Sequence, residues 1–425
     1  MLLFFLACKP AVLSAPSDTT PDTTPETTVE DTTEDAVHIA LVEDDETEVI
    51  AGSGNPDWDA DYSDEIFRDD IIHDVAITLD SGSVNDLNYD PTDYTDATLE
   101  IAGQELEVGV RIKGSSSFQY LSGKPSLKFD MDFVVPGQTL LGIRKLNMHN
   151  MYYDPSRFSE ELTYGMFRAA DLPAARTSYA RVSINGTAYG LYSVVEVTDD
   201  PMLERWFTDN NGNLYENAAN YCDLDDGVSC FDAEETDEGS DDALEAFIDA
   251  VTASGSDWLA GVEPLLLWED YTGFLAMEMS IAHWDSYSYD LSNYRFYHDP
   301  VEDGWTLIPS SVDLSFGFRP WSYPDCGKHG VDPSDYTMGL LSSRCLSDAV
   351  CQEAVYARIL DIADQLDEMD TTATITAAAA RVRADVYEDS RSYYDEDKFE
   401  EHVVCVSDWL AQRPDELREW VAEQQ

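Results

Sequence analysis

From about residue 66 the chain alternates apolar and polar residues with a period of two, and after about residue 243 the period lengthens to that of a helix. Side chains alternate faces along a strand and recur every 3.6 residues on a helix, so the change confines the chain to a strand-rich part followed by a helix-rich part. Such segregation predicts an α+β fold. In 71–80, Val75, Ile77 and Leu79 mark a half-buried strand. Residues 97–114 predict a hairpin: Leu99 and Ile101, a turn at Ala102-Gly103, then Leu106, Val108, Val110 and Ile112. In 124–133, Leu127, Phe129, Met131 and Phe133 share one face, and Lys124, Ser126, Lys128 and Asp130 the other.

Residues 154–170 predict a helix. Asp154 is its expected N-cap, Pro155 its first residue, and Phe158, Leu162, Gly165 and Ala169 its apolar stripe. Asn185-Gly186 between two alternating runs is a strong hairpin signal. Residues 209–242 are a polar excursion ending in an acidic run. Helices are expected at 241–253, 266–285, 347–369, 373–390 and 395–424, interrupted by strands at 293–298 and 304–309.

Charge narrows the function. With 24 Lys+Arg against 86 Asp+Glu, the 425 residues carry a formal charge of −62. Such a chain repels phosphate backbones, which argues against a nucleic-acid partner, and it favours divalent cations, whose preferred ligands are carboxylate oxygens. Hydrophobic residues at 43% still allow a sizeable core.

The first eight residues, an apolar run ending in Leu6-Ala7-Cys8, read as a lipoprotein signal with Cys8 as the lipid attachment point. No basic residues precede the run, which reads as the remainder of a longer signal. Residues 9–61 are rich in Thr, Pro, Asp and Glu, with no Lys or Arg between Lys9 and Arg68. They are expected to form a disordered acidic stalk. The expectation is an exported chain, lipid-anchored at a bacterial cell surface or a periplasmic membrane face. Six cysteines remain beyond Cys8: Cys222, Cys230, Cys326, Cys345, Cys351 and Cys405. An even number in an exported chain suggests three disulfides, and 15 pairings are open. Cys222–Cys230 and Cys345–Cys351 are close enough in sequence to close local loops. There is no CxxC pair to suggest zinc.

No GxSxG, HExxH, Walker or dinucleotide glycine motif occurs. Two acids stand out by context: Asp285 in His283-Trp284-Asp285, and Asp313 before Leu314-Ser315-Phe316-Gly317, with Asn293 between them. An Asp, then an Asn, a hairpin, and an Asp leading into Phe-Gly is the order of a protein-kinase active site. A strand Lys and a helix carboxylate would complete it; Lys128 or Lys124 and Glu160 or Glu161 are the candidates.

Three blocks resemble the CotH kinase family: 111–132 (RIKGSSSFQYLSGKPSLKFDMD), 145–199, and 283–317, which includes HWDSYSYDLSNYRFYHD. The resemblance implies an atypical, two-lobed kinase-like domain over 62–345, with 346–425 as a helical extension of the same domain. It implies ATP and Mg²⁺ or Mn²⁺ as cofactors and transfer to Ser/Thr of an unknown protein partner. Carried onto this chain, it makes Lys128 the ATP-phosphate lysine with Lys124 second, and Glu161 the helix partner. Asp285 becomes the catalytic Asp, and Asn293 and Asp313 the metal ligands. Arg111 and Lys113, beside Gly114 and three serines, are either phosphate contacts or plain strand residues. The family usually carries Trp-Asp where Ser310-Ser311 stand here. The alternative function is therefore a catalytically weak or inactive surface adhesion module on the same fold.

Overall fold

The computed structural model describes residues 62–218, 221–235, 241–321 and 325–425. Cys8, the signal and the stalk expected over 9–61 lie outside the described residues.

Seven strands close into a barrel: β1 (Ile72–Thr78), β2 (Thr95–Ile101), β3 (Gln104–Lys113), β4 (Ser126–Asp130), β5 (Lys145–His149), β6 (Thr177–Ile184) and β7 (Thr187–Glu196), in the order β1-β2-β3-β4-β5-β7-β6. Closure comes from β1 lying parallel to β6, with Val75 opposite Val182; the other pairs are antiparallel. A closed barrel leaves no unpaired edge. The β2–β3 turn lies at Ala102-Gly103, where both φ angles are positive, at 50° and 71°. The β6–β7 turn lies at Asn185-Gly186, at 49° and 73°. Asn185 also extends the parallel ladder with its side chain. Its Oδ1 accepts from Leu79 N at 2.8 Å and its Nδ2 donates to Leu79 O at 3.0 Å.

Alternate residues of these strands fill the barrel, among them Ile77, Leu99, Val110, Phe129, Leu146 and Val182. Phe133 does not join them. The strand ends at Asp130, and Phe133 is exposed against Tyr94, at a ring distance of 5.6 Å. Helix α1 (Ser81–Tyr89) follows β1, N-capped by the Asp80 carboxylate, which accepts from Ser83 N.

Helix α2 (Ser159–Ala169) starts later than its sequence suggests. Pro155 is not helical, and the buried Asp154 caps the helix from five residues upstream. Asp154 accepts from Ser159 N at 2.9 Å, Ser159 Oγ at 3.0 Å and Ser156 N at 2.8 Å. Beyond α3 (Asp200–Trp206), the polar excursion contains strands β8 (Asn213–Asn217) and β9 (Phe231–Glu235), which alternation did not reveal. They join β10 (Tyr294–Asp299) and β11 (Gly304–Pro309) in a second sheet ordered β11-β10-β8-β9.

The helical part comprises α4 (Asp242–Thr252), α5 (Trp258–Val262), α6 (Trp268–Ser280), α7 (Tyr287–Asp290), α8 (Leu340–Ser347), α9 (Ala349–Glu368), α10 (Thr371–Glu388) and α11 (Glu396–Gln424). Every residue of α6 from Tyr271 to Ser280 is buried, which makes it the central helix of the larger core. Its C-terminal carbonyls need partners. Arg413 of α11 supplies two, donating from Nε to Ser280 O at 2.8 Å and from Nη2 to Met279 O at 2.9 Å. Disulfides join Cys222–Cys230, Cys345–Cys351 and Cys326–Cys405, the last tying the loop after β11 to α11. Among the described residues no helix is long and apolar enough to cross a membrane.

Candidate active site

One cavity of about 130 Å³ gathers residues from distant parts of the chain. The end of β3 supplies Lys113, and the loop after it supplies Gly114 to Ser117. The end of β5 brings His149, and α2 brings Glu160. The loop after α6 brings Asp285, the approach to β10 brings Asn293, and the loop after β11 brings Ser311 and Asp313. Asn150 holds the serine loop in place, its Nδ2 donating to Lys124 O at 2.8 Å and Ser117 O at 3.2 Å. Tyr153 adds a bond from its hydroxyl to Ser116 O at 3.0 Å.

Lys113 reaches a carboxylate through a histidine. Its Nζ lies 2.7 Å from His149 Nε2, and His149 Nδ1 lies 2.8 Å from Glu160 Oε1. A neutral imidazole protonated on Nδ1 satisfies both contacts, accepting from the lysine and donating to the glutamate. Burial lowers Lys113 to about 7 against the pull of Glu160, and burial likewise lowers His149. For Glu160, burial pushes upward, but His149 and Lys113 outweigh it and hold the carboxyl below its ordinary value.

Across the cavity, Asn293 Nδ2 donates to Asp285 Oδ2 at 2.8 Å and to Asp285 O at 2.7 Å. Among the described residues its Oδ1 has no hydrogen-bond partner. Burial, and then Asp290, push Asp285 up to about 6, against Asn293 and Arg319. Asp313 is raised well above the carboxylate range, first by burial and then by Glu160, Asp154 and Asp285. The loops carrying these acids hold unusual backbone: φ is positive at Ala282, Leu291, Asn293, Ser311 and Phe316. Non-glycine residues adopt that region only at a cost, and such residues concentrate at functional sites. Loop-to-loop bonds hold them there, including Phe316 N to Ile281 O at 2.8 Å and Ser310 N to Asn293 O at 3.0 Å.

Of the candidates drawn from the sequence, Lys113, Glu160, Asp285, Asn293 and Asp313 meet at this cavity, and Lys128, Lys124, Glu161 and Arg111 do not line it. Lys124 is 2% exposed and committed elsewhere: its Nζ donates to Asp389 at 2.6 Å and to Leu191 O at 2.6 Å. Lys128 lies in the register position opposite Arg111, and Glu234 is its main opposite charge. Arg111 stacks over Tyr94, 5.5 Å from the ring centre. Glu161 accepts from Tyr179 Oη at 2.8 Å and pairs with Arg381. The lysine and glutamate beside the candidate site are therefore Lys113 and Glu160, with His149 between them.

Among the described residues no cluster of three or more His, Cys, Asp or Glu side chains forms a ready-made metal site. The donors facing the cavity are nevertheless hard oxygens. A carboxylate and an amide oxygen, completed by phosphate and water, fit the habits of Mg²⁺ and Mn²⁺.

The family model described as CotH kinase protein matches residues 110–417. The chain belongs to that family, and the match runs through α9 and α10 into α11. Invasin CotH2 of Rhizopus delemar is 25% identical over 320 residues, covering 67% of this chain and 52% of that protein. Invasin CotH3 of the same organism is 22% identical over 290 residues, covering 62% and 47%. The chain thus spans about half the length of the curated relatives it matches. Among solved structures, the HipA–HipB–operator DNA complex of Shewanella oneidensis covers 73% of this chain and 68% of its own, at 11% identity and a TM-score of 0.35. The proinflammatory kinase CtkA of Helicobacter pylori covers 79% and 93%, at 9% identity and a TM-score of 0.32.

Proposed function

We propose that the chain is a phosphotransferase of the CotH type, using ATP with Mg²⁺ or Mn²⁺ and an acceptor hydroxyl on a protein. The observation that carries this reading is the convergence of Lys113, Asp285, Asn293 and Asp313 on one cavity. Bound metal would neutralise phosphate charge as the phosphoryl group moves. Asp313 and the Asn293 amide oxygen would hold it. Lys113, oriented by His149 and Glu160, would contact the phosphates. Asp285 would accept the acceptor's proton as that oxygen attacks the γ-phosphorus and the bond to the diphosphate breaks. A carboxyl near 6 suits that role, because a general base works best close to the ambient pH. A cavity of about 130 Å³ is below the roughly 300–1,000 Å³ of ordinary ligand pockets. It takes the phosphoryl end of a nucleotide, and the Gly114–Ser117 loop would have to open for the rest. Calorimetric titration of ATP with Mn²⁺ into the purified chain tests the reading, which requires saturable, metal-dependent binding. No binding at millimolar nucleotide would overturn it.

A second reading has its own support. Both curated relatives are named invasins, and Ser310-Ser311 stand where the family usually has Trp-Asp. On that reading the chain is an adhesion or interaction module whose fold persists without turnover. The three disulfides favour an oxidising compartment, extracellular or at the surface, under either reading. Lipid attachment at Cys8 would tether it there. A Cys8→Ala variant that partitions into membranes as fully as the parent would remove the anchor from this proposal.

A further inference from the structure

Helix α2 has a second face. Glu160 borders the candidate active site, whereas Leu162, Gly165, Met166 and Arg168 border a different cavity of about 790 Å³. Helices α9 and α10 and the segment around Phe67 supply its other walls. The volume lies within the roughly 300–1,000 Å³ range of ligand pockets. Much of the lining is flexible and apolar, with Met166, Met277, Met369, Ile362 and Leu366 present, and methionine adapts readily to an apolar guest.

The charges on this cavity run against the rest of the molecule. Four arginines border it (Arg68, Arg168, Arg176 and Arg381) against three acids (Asp64, Asp69 and Glu161), so 4 − 3 gives +1 locally in a chain of −62. Three of the arginines are held in ion pairs. Arg68 pairs with Glu65 and Asp70, Arg176 with Asp64 and Glu196, and Arg381 with Glu161. Arg168 is not. Its Nη1 donates to the Ala175 carbonyl, and it makes no ion pair among the described residues. Burial lowers its guanidinium below the ordinary value, and the opposing pull of Glu196 and Glu161, neither of which pairs with it directly, does not restore it. Its place in the last turn of α2 offsets part of that cost through the helix dipole. The dipole does not occupy its second terminal nitrogen. A Cβ built on Gly165 would meet only Arg168 Nη2, at 3.9 Å, so the guanidinium edge borders open space.

We propose that this cavity binds an amphipathic anion, its acyl-like body among the Leu, Ile and Met side chains and its oxyanion head, carboxylate or phosphate, on Arg168. The head forms charge-assisted hydrogen bonds with the guanidinium, whose planar fork suits either oxyanion. The body displaces water from an apolar lining. This inference does not depend on the phosphotransferase reading.

The test is calorimetric titration of the full, disulfide-intact chain with sodium dodecanoate, dodecyl phosphate and dodecan-1-ol, each kept below its aggregation limit, and with inorganic phosphate. One or both anionic amphiphiles should bind at one site, and the tighter one identifies the head. The alcohol and bare phosphate should bind at least tenfold more weakly. Arg168→Met should weaken the amphiphile by about tenfold or more, as expected for a lost charge-assisted contact. Gly165→Leu fills the cavity from a position with room for a side chain, so it should abolish binding while leaving the melting temperature intact. Absence of binding by either anion, equal binding of the alcohol, or binding that survives Gly165→Leu would overturn the proposal.

Discussion

Glu160 and Glu161 are adjacent on α2 and face different cavities. Glu160 lies 2.8 Å from His149 Nδ1 at the candidate active site, while Glu161 accepts from Tyr179 and Arg381 on the other side. Glu160→Gln removes the charge that holds Lys113 protonated against burial. Nucleotide affinity at pH 7 should fall by about tenfold or more, in line with the loss of a charge-assisted network. Glu161→Gln should change affinity less than twofold and act on stability instead. Titration calorimetry beside thermal melting separates the two, and equal affinity losses would contradict the assignment.

Asp285 and Asp313 should also part company. Asp313→Ala removes a proposed metal ligand and should abolish metal-dependent nucleotide binding. Asp285→Ala should leave binding nearly intact and reduce turnover by roughly 10²–10⁴-fold, the usual range for a lost general base. A defect confined to turnover marks an interaction made in the transition state. A control variant at exposed Asp241 should move neither quantity.

The residues that local sequence order could identify are those that meet at the cavity. Asp285, Asn293 and Asp313 sit in or beside tight loops whose spacing is readable without knowing the fold. Lys124 and Lys128 were harder. Alternation divides a strand into two faces without saying which one looks at a distant loop. Lys124 is claimed by Asp389, 265 residues away. Helix phase explains the neighbouring glutamates. Glu160 shares the buried face of Thr163, Tyr164 and Phe167 at helical spacing, and Glu161 is one residue out of that phase. His149 has no motif around it, and its role appears only when β5 is set beside β3 and α2. Strands β8 and β9 lie in a polar segment with few apolar residues, so alternation carries little signal there.

A buried histidine should shape the acid limb of stability. His402 is 1% exposed and packs on Phe318, with ring centres 4.6 Å apart. Burial, then Lys398 and Arg157, lower it from 6.5 to about 3. A group whose folded value is depressed contributes stability above the unfolded value and loses it as pH falls toward the folded one. The window is therefore about pH 6.5 down to 3, with a slope near 1.4 kcal/mol per pH unit from one such group. His402→Gln, which cannot titrate, should flatten the urea midpoint between pH 6.5 and 4.5 relative to the parent. Parallel curves for the two proteins would contradict the assignment.

Arg413 should couple the C-terminal helix to the candidate site. Its guanidinium closes the end of α6 at Met279 and Ser280, five residues before Asp285. Arg413→Met leaves two buried carbonyls without their donor, at about 1–3 kcal/mol each. The melting temperature should drop, and turnover should fall further than nucleotide affinity, because the loop that aims Asp285 loses its anchor. Arg413→Lys should rescue only part of this, since one ammonium does not reproduce a guanidinium fork.

The last prediction concerns the disulfides, which differ in what they constrain. Cys326–Cys405 spans 79 residues, whereas Cys345–Cys351 spans 6 and Cys222–Cys230 spans 8. In the chain-entropy account, cross-linking stabilises by restricting the unfolded chain, and the effect grows with the logarithm of loop length. The long loop should then contribute about 4.5 kcal/mol and the shortest about 2 kcal/mol. The long bridge also joins the segment following Phe316-Gly317 to α11, so its loss should loosen the loop carrying Asp313. Cys326→Ala with Cys405→Ala should lower the melting temperature more than Cys345→Ala with Cys351→Ala, and only the first pair should weaken metal-dependent nucleotide binding. Equal thermal losses with unchanged binding in both would mean that the bridge is a bystander to the site.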